Sequence, residues 1–363
     1  MTAKEQSRTM ADKSSRNDGD QIITLAELAK RLKLTKGTVS AVLNDSPYAR
    51  SIPEHTKERI KAAAREFNYQ PNFFARTLRK KRTFTIGVIA EEIGDPYGGM
   101  IISGIEKRLS IHKYFFLTGI HRHDPKLLQQ YFEILIARGI EGLITVDTVL
   151  KKAPPLPAVA VAGHCVLDGV TNIVLDHHRA AELALDHLYG QGHREIAVIR
   201  GQVFSSDSEA RWQAIRSYAE KLGVPIADDA IGQLMTDDPS PQQGYLITKE
   251  LLQRNQRFSA LFTYNDIASI GAIRAIRESG LRVPEDISVI GFDDIREAAY
   301  HVPSITTVRQ PLRKMGSIAA QTIIDRIEGA ETYPAQIAIE PELVIRESTG
   351  PASTSRRIAK ATA

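Results

Sequence analysis

From residue 84 onward the chain alternates short apolar stretches with helical patterns, and this alternation constrains the fold more than any other feature. The first apolar stretches are Thr85–Ala90, Tyr114–Leu117, Gly142–Val146 and Ala158–Ala162. Helical patterns occupy 98–111, 124–138 and 178–190. Short buried strands that alternate with helices form parallel sheets. This part of the chain is therefore predicted to be α/β.

A second series of apolar stretches follows the first. Its strands are predicted at Glu195–Ile199, Ala260–Thr263 and Ile287–Gly291. Two series of this kind predict two lobes, each with a doubly wound parallel sheet. Small ligands of such sheets bind beyond the carboxyl ends of the strands. Any ligand site in this region is therefore expected where strands end.

The preceding segment has a helical period instead. Thr24 is a good N-cap for a helix over 25–32, and Glu27 completes a capping box. Lys33 and Leu34 leave room only for a tight turn before Thr35, which can cap a second helix that reaches Asn44. Two short helices joined by such a turn predict a helix-turn-helix, although spacing alone is equally compatible with an ordinary helical hairpin.

A third helix is predicted from Pro53 to Phe67, and it would supply an apolar backing for the first two. The second helix carries few large apolar residues. Its predicted outer face is formed by small and polar residues, namely Lys36, Gly37, Thr38, Ser40 and Ala41. Such a helix is suited to lie against another molecule.

Charge is distributed unevenly along the chain. Residues 24–82 contain fourteen Lys or Arg residues against five Asp or Glu residues, whereas the segment before them is balanced. Because the whole chain has a net charge of +4, the residues from Thr83 onward carry a net negative charge. A basic module joined to a mildly acidic body is typical of a nucleic-acid-binding head on a regulatory domain, although a solvated charged surface would give the same count.

Other classes of protein are disfavoured. Residues 1–22 are polar and charged, without the apolar run of a signal peptide, and are predicted to be a disordered tail. The sequence has one cysteine, Cys165, which excludes an internal disulfide and cysteine-rich zinc sites. No apolar window is long enough to span a membrane. A cytoplasmic protein without a cofactor or metal is expected.

Several motifs, in order, resemble the LacI/GalR family of bacterial transcription regulators. They are Thr24–Ala29, Thr38–Asn44, Asn68–Asn72 and Ala75–Leu78. The resemblance continues to about residue 350 and implies an all-α helix-turn-helix head followed by a periplasmic-binding-protein-like effector domain. The implied domains are a tail (1–22), the head (23–71), a hinge helix (72–82), the effector domain (83–350) and a flexible tail (351–363). Lobe 1 would comprise 84–175 and 311–338, and lobe 2 would comprise 176–310 and 339–350.

By resemblance the second helix enters the major groove of DNA. Residues of the head implied in DNA contact are Thr35, Lys36, Gly37, Thr38, Ser40, Ala41, Asn44, Tyr48 and Arg50. Two of them depart from the family, because Gly37 has no side chain and Ala41 offers at most a methyl contact to thymine. We therefore expect this head to depend more on phosphate contacts and DNA shape than its relatives do.

The hinge is too short to be a stable helix alone in water, so it is expected to fold only on DNA and beside a second copy. By resemblance Leu78 would wedge into a base step of the minor groove, Ala75 would lie near the groove floor, and Arg76 and Arg79 would lie near the backbone. From the residues alone, a solvated linker remains the alternative.

The effector site is implied at the strand ends. Its predicted residues are Asp95, Tyr97, His164, Ser205, Asp207, Arg211, Asn265 and Asp293. An Arg fork with short carboxylates and amides suits sugar hydroxyls, while aromatic rings cover a sugar's apolar face. The pair Tyr97-Gly98 lacks the second ring of the purine-responsive branch, so a sugar or sugar derivative is favoured. Asp266 is expected to cap the helix that begins at Ile267, and His193 and Arg194 are expected to stabilise the fold.

The resemblance implies a homodimer that binds a palindromic operator, with repression as the default. Whether the effector induces or corepresses, and whether the protein is a dimer or a tetramer, stay open. The alternatives are a periplasmic-type sugar-binding protein and an enzyme that uses the same cleft. The sequence contains neither a P-loop nor a nucleophile elbow, and the adjacent pair His164-Cys165 is poorly placed to act as base and nucleophile.

Overall fold

A computed structural model describes residues 23–70, 81–163, 165–236, 240–254, 257–329 and 333–353. Contacts divide the chain into two compact units, Met1–Arg82 and Thr83–Ala363, here called the head and the body. The first predicted tail, residues 354–363 of the second, and most of the predicted hinge, including Ala75, Arg76, Leu78 and Arg79, lie outside the described residues.

The described part of the head contains three α-helices and a short 3-10 helix. They are α1 (Leu25–Leu32), α2 (Lys36–Leu43), the 3-10 helix (Pro47–Ser51) and α3 (Glu54–Glu66). The predicted capping box is confirmed, since Thr24 Oγ1 accepts from the Glu27 amide while the Glu27 carboxylate accepts from the Thr24 amide. Thr35 caps α2 in the same way, by accepting from the amide of Thr38 at 3.1 Å.

One apolar cluster holds the head together. Leu28 of α1, Val39 of α2 and Ile60 of α3 are each fully buried in it. Ala49 and Ile52 join the same cluster, so the connection between α2 and α3 is packed against the core. The predicted helical backing is confirmed, with Pro53 at the N-cap of α3.

The first sheet of the body is fully parallel. Its strands along the chain are β1 (Thr85–Ala90), β2 (Phe115–Ile120), β3 (Gly142–Val146), β4 (Ala158–Val161), β5 (Val170–Leu175) and β11 (Gln336–Ile339). The spatial order is β11-β5-β4-β3-β1-β2. Helices α4 (Pro96–Ile111), α5 (Pro125–Ala137) and α11 (Leu312–Ile327) pack against it.

The second sheet is parallel except for one edge strand. It contains β6 (Ile196–Arg200), β7 (Ile231–Gln233), β8 (Ala260–Thr263), β9 (Ser288–Asp293), β10 (Thr306–Arg309) and β12 (Glu342–Val344). The spatial order is β12-β10-β9-β8-β6-β7, and β12 runs antiparallel to β10. Its helices are α6 (His177–Gly190), α7 (Ser206–Lys221), α8 (Gln242–Arg254), α9 (Asp266–Glu278) and α10 (Arg296–Tyr300).

The predicted fold class is confirmed, with two doubly wound sheets whose central strands are buried on both faces. Apolar clusters fill both faces of each sheet. Within the described ranges, no helix is long and apolar enough to cross a membrane. The same residues hold no cluster of three or more His, Cys, Asp or Glu side chains arranged for a metal ion.

Candidate DNA-contacting surface and effector cleft

The amino-terminal end of α2 is the exposed part of that helix. Thr35, Lys36 and Gly37 are exposed, and Thr38 and Ser40 are half-buried. The hydroxyls of Thr35 and Thr38 lie 2.9 Å apart and order this end of the helix. Recognition helices of this kind contact base edges through their amino-terminal residues. Within this group Lys36 has the one long side chain, so it is the residue best able to reach a base or phosphate.

Ala41 does not lie on the outer face of α2, and its predicted placement there is wrong. Only 4% of the residue is exposed, and it belongs to the apolar cluster of the head. The chain after α2 returns along this flank, since the amide of Ser46 donates to the carbonyl of Ala41 at 3.0 Å. The 3-10 helix then places Ala49 in the same cluster. Ala41 is therefore a packing residue.

The remaining predicted residues of the head differ in how they are used. Asn44 donates its amide to the carbonyl of Ser40 at 2.8 Å, and so it closes the end of α2. Tyr48 and Arg50 are exposed on the 3-10 helix, on either side of buried Ala49. Because Ala49 anchors the backbone between them, both side chains are held on the surface of the head. Their contact with DNA stays a prediction.

The body contains a cavity of about 90 Å³ beyond the carboxyl ends of strands from both sheets. The structure brings together seven of the eight predicted effector residues at its wall: Asp95, Tyr97, Ser205, Asp207, Arg211, Asn265 and Asp293. His164, the eighth, lies outside the described residues. Strand ends converge here because each sheet is doubly wound.

Arg211 is already engaged within the protein. Its guanidinium donates to the carbonyl of Tyr264 at 2.6 Å and to the Asp207 carboxylate at 2.9 Å. It also lies over the rings of Phe292 and Tyr264, at 3.6 and 4.4 Å from their centroids. Only 3% of the residue is exposed. The expected Arg fork is therefore largely occupied by protein groups.

Asp207 links two basic side chains at the cavity wall. Its Oδ2 accepts from Arg211, and its Oδ1 lies 3.1 Å from Nε2 of His177, the first residue of α6. All three residues are buried. A buried carboxylate requires such partners, because an unpaired charge in the interior costs several kcal/mol. Asp207 therefore fixes the position of Arg211.

Asp293 lies at the end of β9, and its backbone has a φ of 103°. Residues other than glycine rarely adopt this conformation. Its Oδ1 accepts from the amide of Gln310 at 2.6 Å. Burial is the main cause that raises the pKa of Asp293, to about 6, and the carboxylates of Asp95 and Asp207 raise it further while Arg211 opposes them. A strained, buried carboxyl with a raised pKa is typical of a functional site.

The loop after β1 contributes Asp95 and Tyr97. Asp95 caps α4 by accepting from the amide of Gly98 at 2.8 Å, and burial raises its pKa. Tyr97 Oη is buried without a hydrogen-bond partner among the described residues. A Cβ at Gly98 would lie 2.4 Å from the carbonyl oxygen of Glu92, so this loop has no room for a second aromatic side chain.

Asn265, rather than Asp266, caps α9. Its Oδ1 accepts from the amide of Ala268 at 2.8 Å, and the helix begins at Asp266. The prediction that Asp266 caps a helix from Ile267 is therefore wrong. Asp266 is fully buried, and its Oδ2 accepts from the amide of Ile295 at 2.9 Å, which ties α9 to the loop after β9.

Two other residues have structural roles. His193 is buried and lies within hydrogen-bond distance of Ser259, Ser288 and the carbonyl of Gly350, so its predicted stabilising role is confirmed. Trp212, next to Arg211, is 7% exposed and belongs to an apolar cluster of the second lobe. It is a core residue.

Sequence reasoning missed several residues of the cavity wall. They are Glu91, Glu92, Asp147, Gln202, Phe204, Leu234, Ser240, Gln243, Gly244, Tyr264, Ile267 and Ala268. Glu91, Asp147 and Tyr264 each come directly after a strand. They would have been found if the expectation that ligands bind where strands end had been applied to every strand. Phe204 lies with its ring 4.1 Å from that of His123, a contact that joins the two lobes and that no local pattern indicates.

Comparison with known families matches both units of the chain. Residues 24–72 match the family described as bacterial regulatory proteins, lacI family. Residues 185–349 match the periplasmic binding protein-like domain.

Individual relatives extend the likeness over nearly the whole chain. The HTH-type transcriptional repressor PurR of Erwinia tasmaniensis is 31% identical over 345 residues, which cover 92% of this chain and 99% of that protein. A Lac repressor dimer bound to operator and the anti-inducer ONPF is 25% identical with a TM-score of 0.81, covering 91% of this chain and 100% of that one. A complex of the transcriptional regulator CelR with cellobiose is 27% identical with a TM-score of 0.65, covering 90% and 99%.

A common order of domains, a common fold and this degree of identity over almost the full length leave one conclusion. This chain belongs to the lacI family of bacterial regulatory proteins.

Proposed function

We propose that this protein is a DNA-binding transcriptional repressor whose affinity for its operator is controlled by a small molecule bound in the cavity of the body. The observation that carries the proposal is the match of residues 24–72 to the lacI family, in a head whose α2 exposes Lys36 at its amino-terminal end. The similar Lac repressor and PurR proteins are named as repressors, and the Lac repressor was solved on operator DNA.

The assembly that fits this function is a homodimer in the cytoplasm. Two heads would contact the two halves of a palindromic operator, as the dimeric state of the similar Lac repressor supports. The two hinges at 72–82 would then fold together on the DNA. An effector that binds one arrangement of the two lobes better than another would shift the population of DNA-competent dimers.

The effector class that fits the cavity is a sugar or sugar derivative. The wall combines carboxylates, amides and hydroxyls with the rings of Tyr97, Phe204 and Tyr264. Groups of this kind pair with sugar hydroxyls and cover the apolar face of a ring. Gly98 cannot be replaced by a second ring without a backbone clash, which supports the expectation that a purine is disfavoured.

DNA binding is tested directly with the full chain and the duplex upstream of its own gene. Affinity should fall steeply with salt, because phosphate contacts release counterions. Lys36→Ala should weaken binding by about 1–3 kcal/mol, or roughly 5- to 150-fold. Lys126→Ala removes an equal charge from an exposed site on α5 and should change little. Absence of salt-sensitive binding, or equal losses in both variants, would contradict the proposal.

A further inference from the structure

The wall of the cavity is strongly acidic. Among the described residues that line it, one guanidinium, that of Arg211, faces six carboxyl groups. These belong to Glu91, Glu92, Asp95, Asp147, Asp207 and Asp293. Neutral ligands need hydrogen-bond acceptors but not an excess of negative charge. The excess of negative charge at the wall therefore favours a ligand that carries positive charge.

The basic side chains near the wall already have carboxylate partners. Arg211 and His177 both bind Asp207, as described above. The imidazole of His123 contacts the carboxylate of Glu91. Glu92 accepts from the amides of Ile93 and Gly94, both at 2.7 Å, and its other oxygen lies 3.8 Å from exposed Arg122.

Two carboxylates of the wall accept few hydrogen bonds from the described side chains. Asp293 is 7% exposed, and Gln310 uses only its Oδ1, so its Oδ2 has no hydrogen-bond partner among the described residues. In Asp95, Oδ1 accepts from the Gly98 amide, and no described side chain donates a hydrogen bond to this carboxylate. Asp95 follows β1 of the first lobe and Asp293 ends β9 of the second, so the two approach the cavity from opposite sides.

The electrostatic repulsion of Asp293 by Asp95 also favours a cationic ligand. The negative charge of Asp95 contributes to raising the pKa of Asp293 to about 6. A cation placed beside both carboxylates would offset this repulsion. The ordinary source of such a cation in a small organic ligand is a protonated amine.

The cavity also limits size and polarity. A volume of about 90 Å³ holds roughly six to nine waters at about 10–15 Å³ of accessible volume each. This corresponds to one sugar ring rather than two. The buried Oη of Tyr97, which has no partner among the described residues, offers a hydrogen bond to a hydroxyl group of the ligand.

We propose that the effector is an amino sugar or a similarly small hydroxylated amine, whose ammonium group binds Asp293 from one lobe and Asp95 from the other. This inference rests on the proposed function, since it assumes that the cavity is the effector site. An ammonium bound to both lobes favours the arrangement in which they are close together. A neutral sugar lacks that link.

The test is isothermal titration calorimetry of the full chain with matched ligands at pH 7.5. The probes are glucosamine, galactosamine and mannosamine, each beside its parent sugar and its N-acetyl derivative. At least one amine should bind at least 10-fold tighter than both of its neutral counterparts, because hydrogen bonds to charged groups contribute about 1.5–3 kcal/mol. A neutral sugar that binds as tightly as its amine, or a panel in which no amine binds, would overturn the proposal.

A variant identifies the residue responsible. Asp293→Asn keeps the shape and the acceptor for Gln310, and it should reduce the preference for the amine to about 3-fold or less while the parent sugar still binds. Asp325→Asn, on an exposed face of α11, should leave the preference unchanged. An amine preference that persists in Asp293→Asn would overturn the assignment, and thermal unfolding verifies that both variants are folded.

The DNA-binding measurement distinguishes failure of the amine proposal from failure of the proposed repressor function. If the protein binds its upstream duplex but prefers no amine, the repressor function stands and the amine proposal fails. If the protein binds no DNA, the proposed function fails whatever the cavity binds.

Discussion

The head and the second lobe of the body carry their candidate functional residues in opposite ways. In the head, Lys36 and Gly37 are exposed at the end of a helix that is held from behind by an apolar cluster. In the lobe, Asp207, Arg211 and Asp293 are buried and bound to one another or to neighbouring groups. The candidate DNA-contacting residues of the head therefore lie apart from its core, whereas the candidate effector residues of the cavity are also part of the packed structure.

The largest effect is expected from Arg211→Ala. Removal of the guanidinium deprives buried Asp207 of its arginine partner and exposes the cavity face of Phe292. Loss of one partner of a buried ion pair costs about 3–5 kcal/mol. Chemical denaturation of the body measures this loss.

Arg216→Ala on the same helix is the control. It breaks an exposed pair with Glu220, which contributes no more than about 0.5 kcal/mol. Equal stability of the two variants would show that Arg211 is not an integral part of the second lobe.

A core substitution in the head should abolish DNA binding and leave ligand binding in the body intact. Leu28→Ala creates a cavity in the head cluster and should destabilise the head by about 2–5 kcal/mol. DNA binding should be lost while ligand binding in the body is retained, as calorimetry and anisotropy measured on one preparation would show. Leu246→Ala, at a position that is 50% exposed, provides a matched control. Simultaneous loss of both activities would contradict the separation.

Asp293 makes the stability of the body depend on pH. Because its folded pKa of about 6 exceeds the ordinary aspartate value of 3.8, its contribution to the free energy of unfolding is full below pH 4 and is lost as the pH rises through 6. The groups that act on it are Arg211, Gln310, Asp95, Asp207 and Asp266.

The measurement is the difference between wild type and Asp293→Asn in free energy of unfolding. The variant should be more stable by up to about 3 kcal/mol at pH 7.5, at about 1.4 kcal/mol for each pKa unit. The difference should shrink towards pH 4. The subtraction cancels the contribution of His121, which is the same in both proteins. Burial lowers the pKa of its ring to about 4, so its contribution to stability changes with pH in the opposite direction. A difference that does not vary with pH would contradict the assignment.

The smallest effect is expected at Gly37. A Cβ there would meet only Thr35 Oγ1 at 3.7 Å, so Gly37→Ala should fit and stabilise α2 by about 0.5–1 kcal/mol. If Gly37 contacts no base, a selection of operators from random duplexes should return the same preferences for variant and wild type. A loss of DNA affinity of 10-fold or more would show that the bare backbone at Gly37 approaches the DNA.

Local patterns predicted the head well, because its signals lie within a few residues of each other. Thr24 and Glu27 form the expected capping box, and Thr35 caps α2. Ala41 was misplaced because its burial depends on the return of the chain at Ser46, which the periodicity of α2 does not contain. Burial on the flank of a short helix is decided by what packs there.

The body was predictable as a class of fold but less so in its details. The strand-end rule located most of the cavity wall, yet the pairing of Asp207 with His177 joins two helices that are separate in sequence. Strand β5 was missed because the polar residues Thr171 and Asn172 interrupt its apolar run. The structure nevertheless buries the whole strand. Asn172 is tolerated there because its side-chain oxygen accepts from the amide of Gly163.

In the proposed function, occupancy of the cavity controls binding of DNA by the head. This control is tested most directly by measuring operator affinity with and without the cavity ligand, and ligand affinity with and without the operator. Coupled sites must change one another's affinity by the same factor, which is typically about 5- to 150-fold. Equal factors in the two directions are the predicted result. Independent binding, with neither affinity changed, would contradict the account.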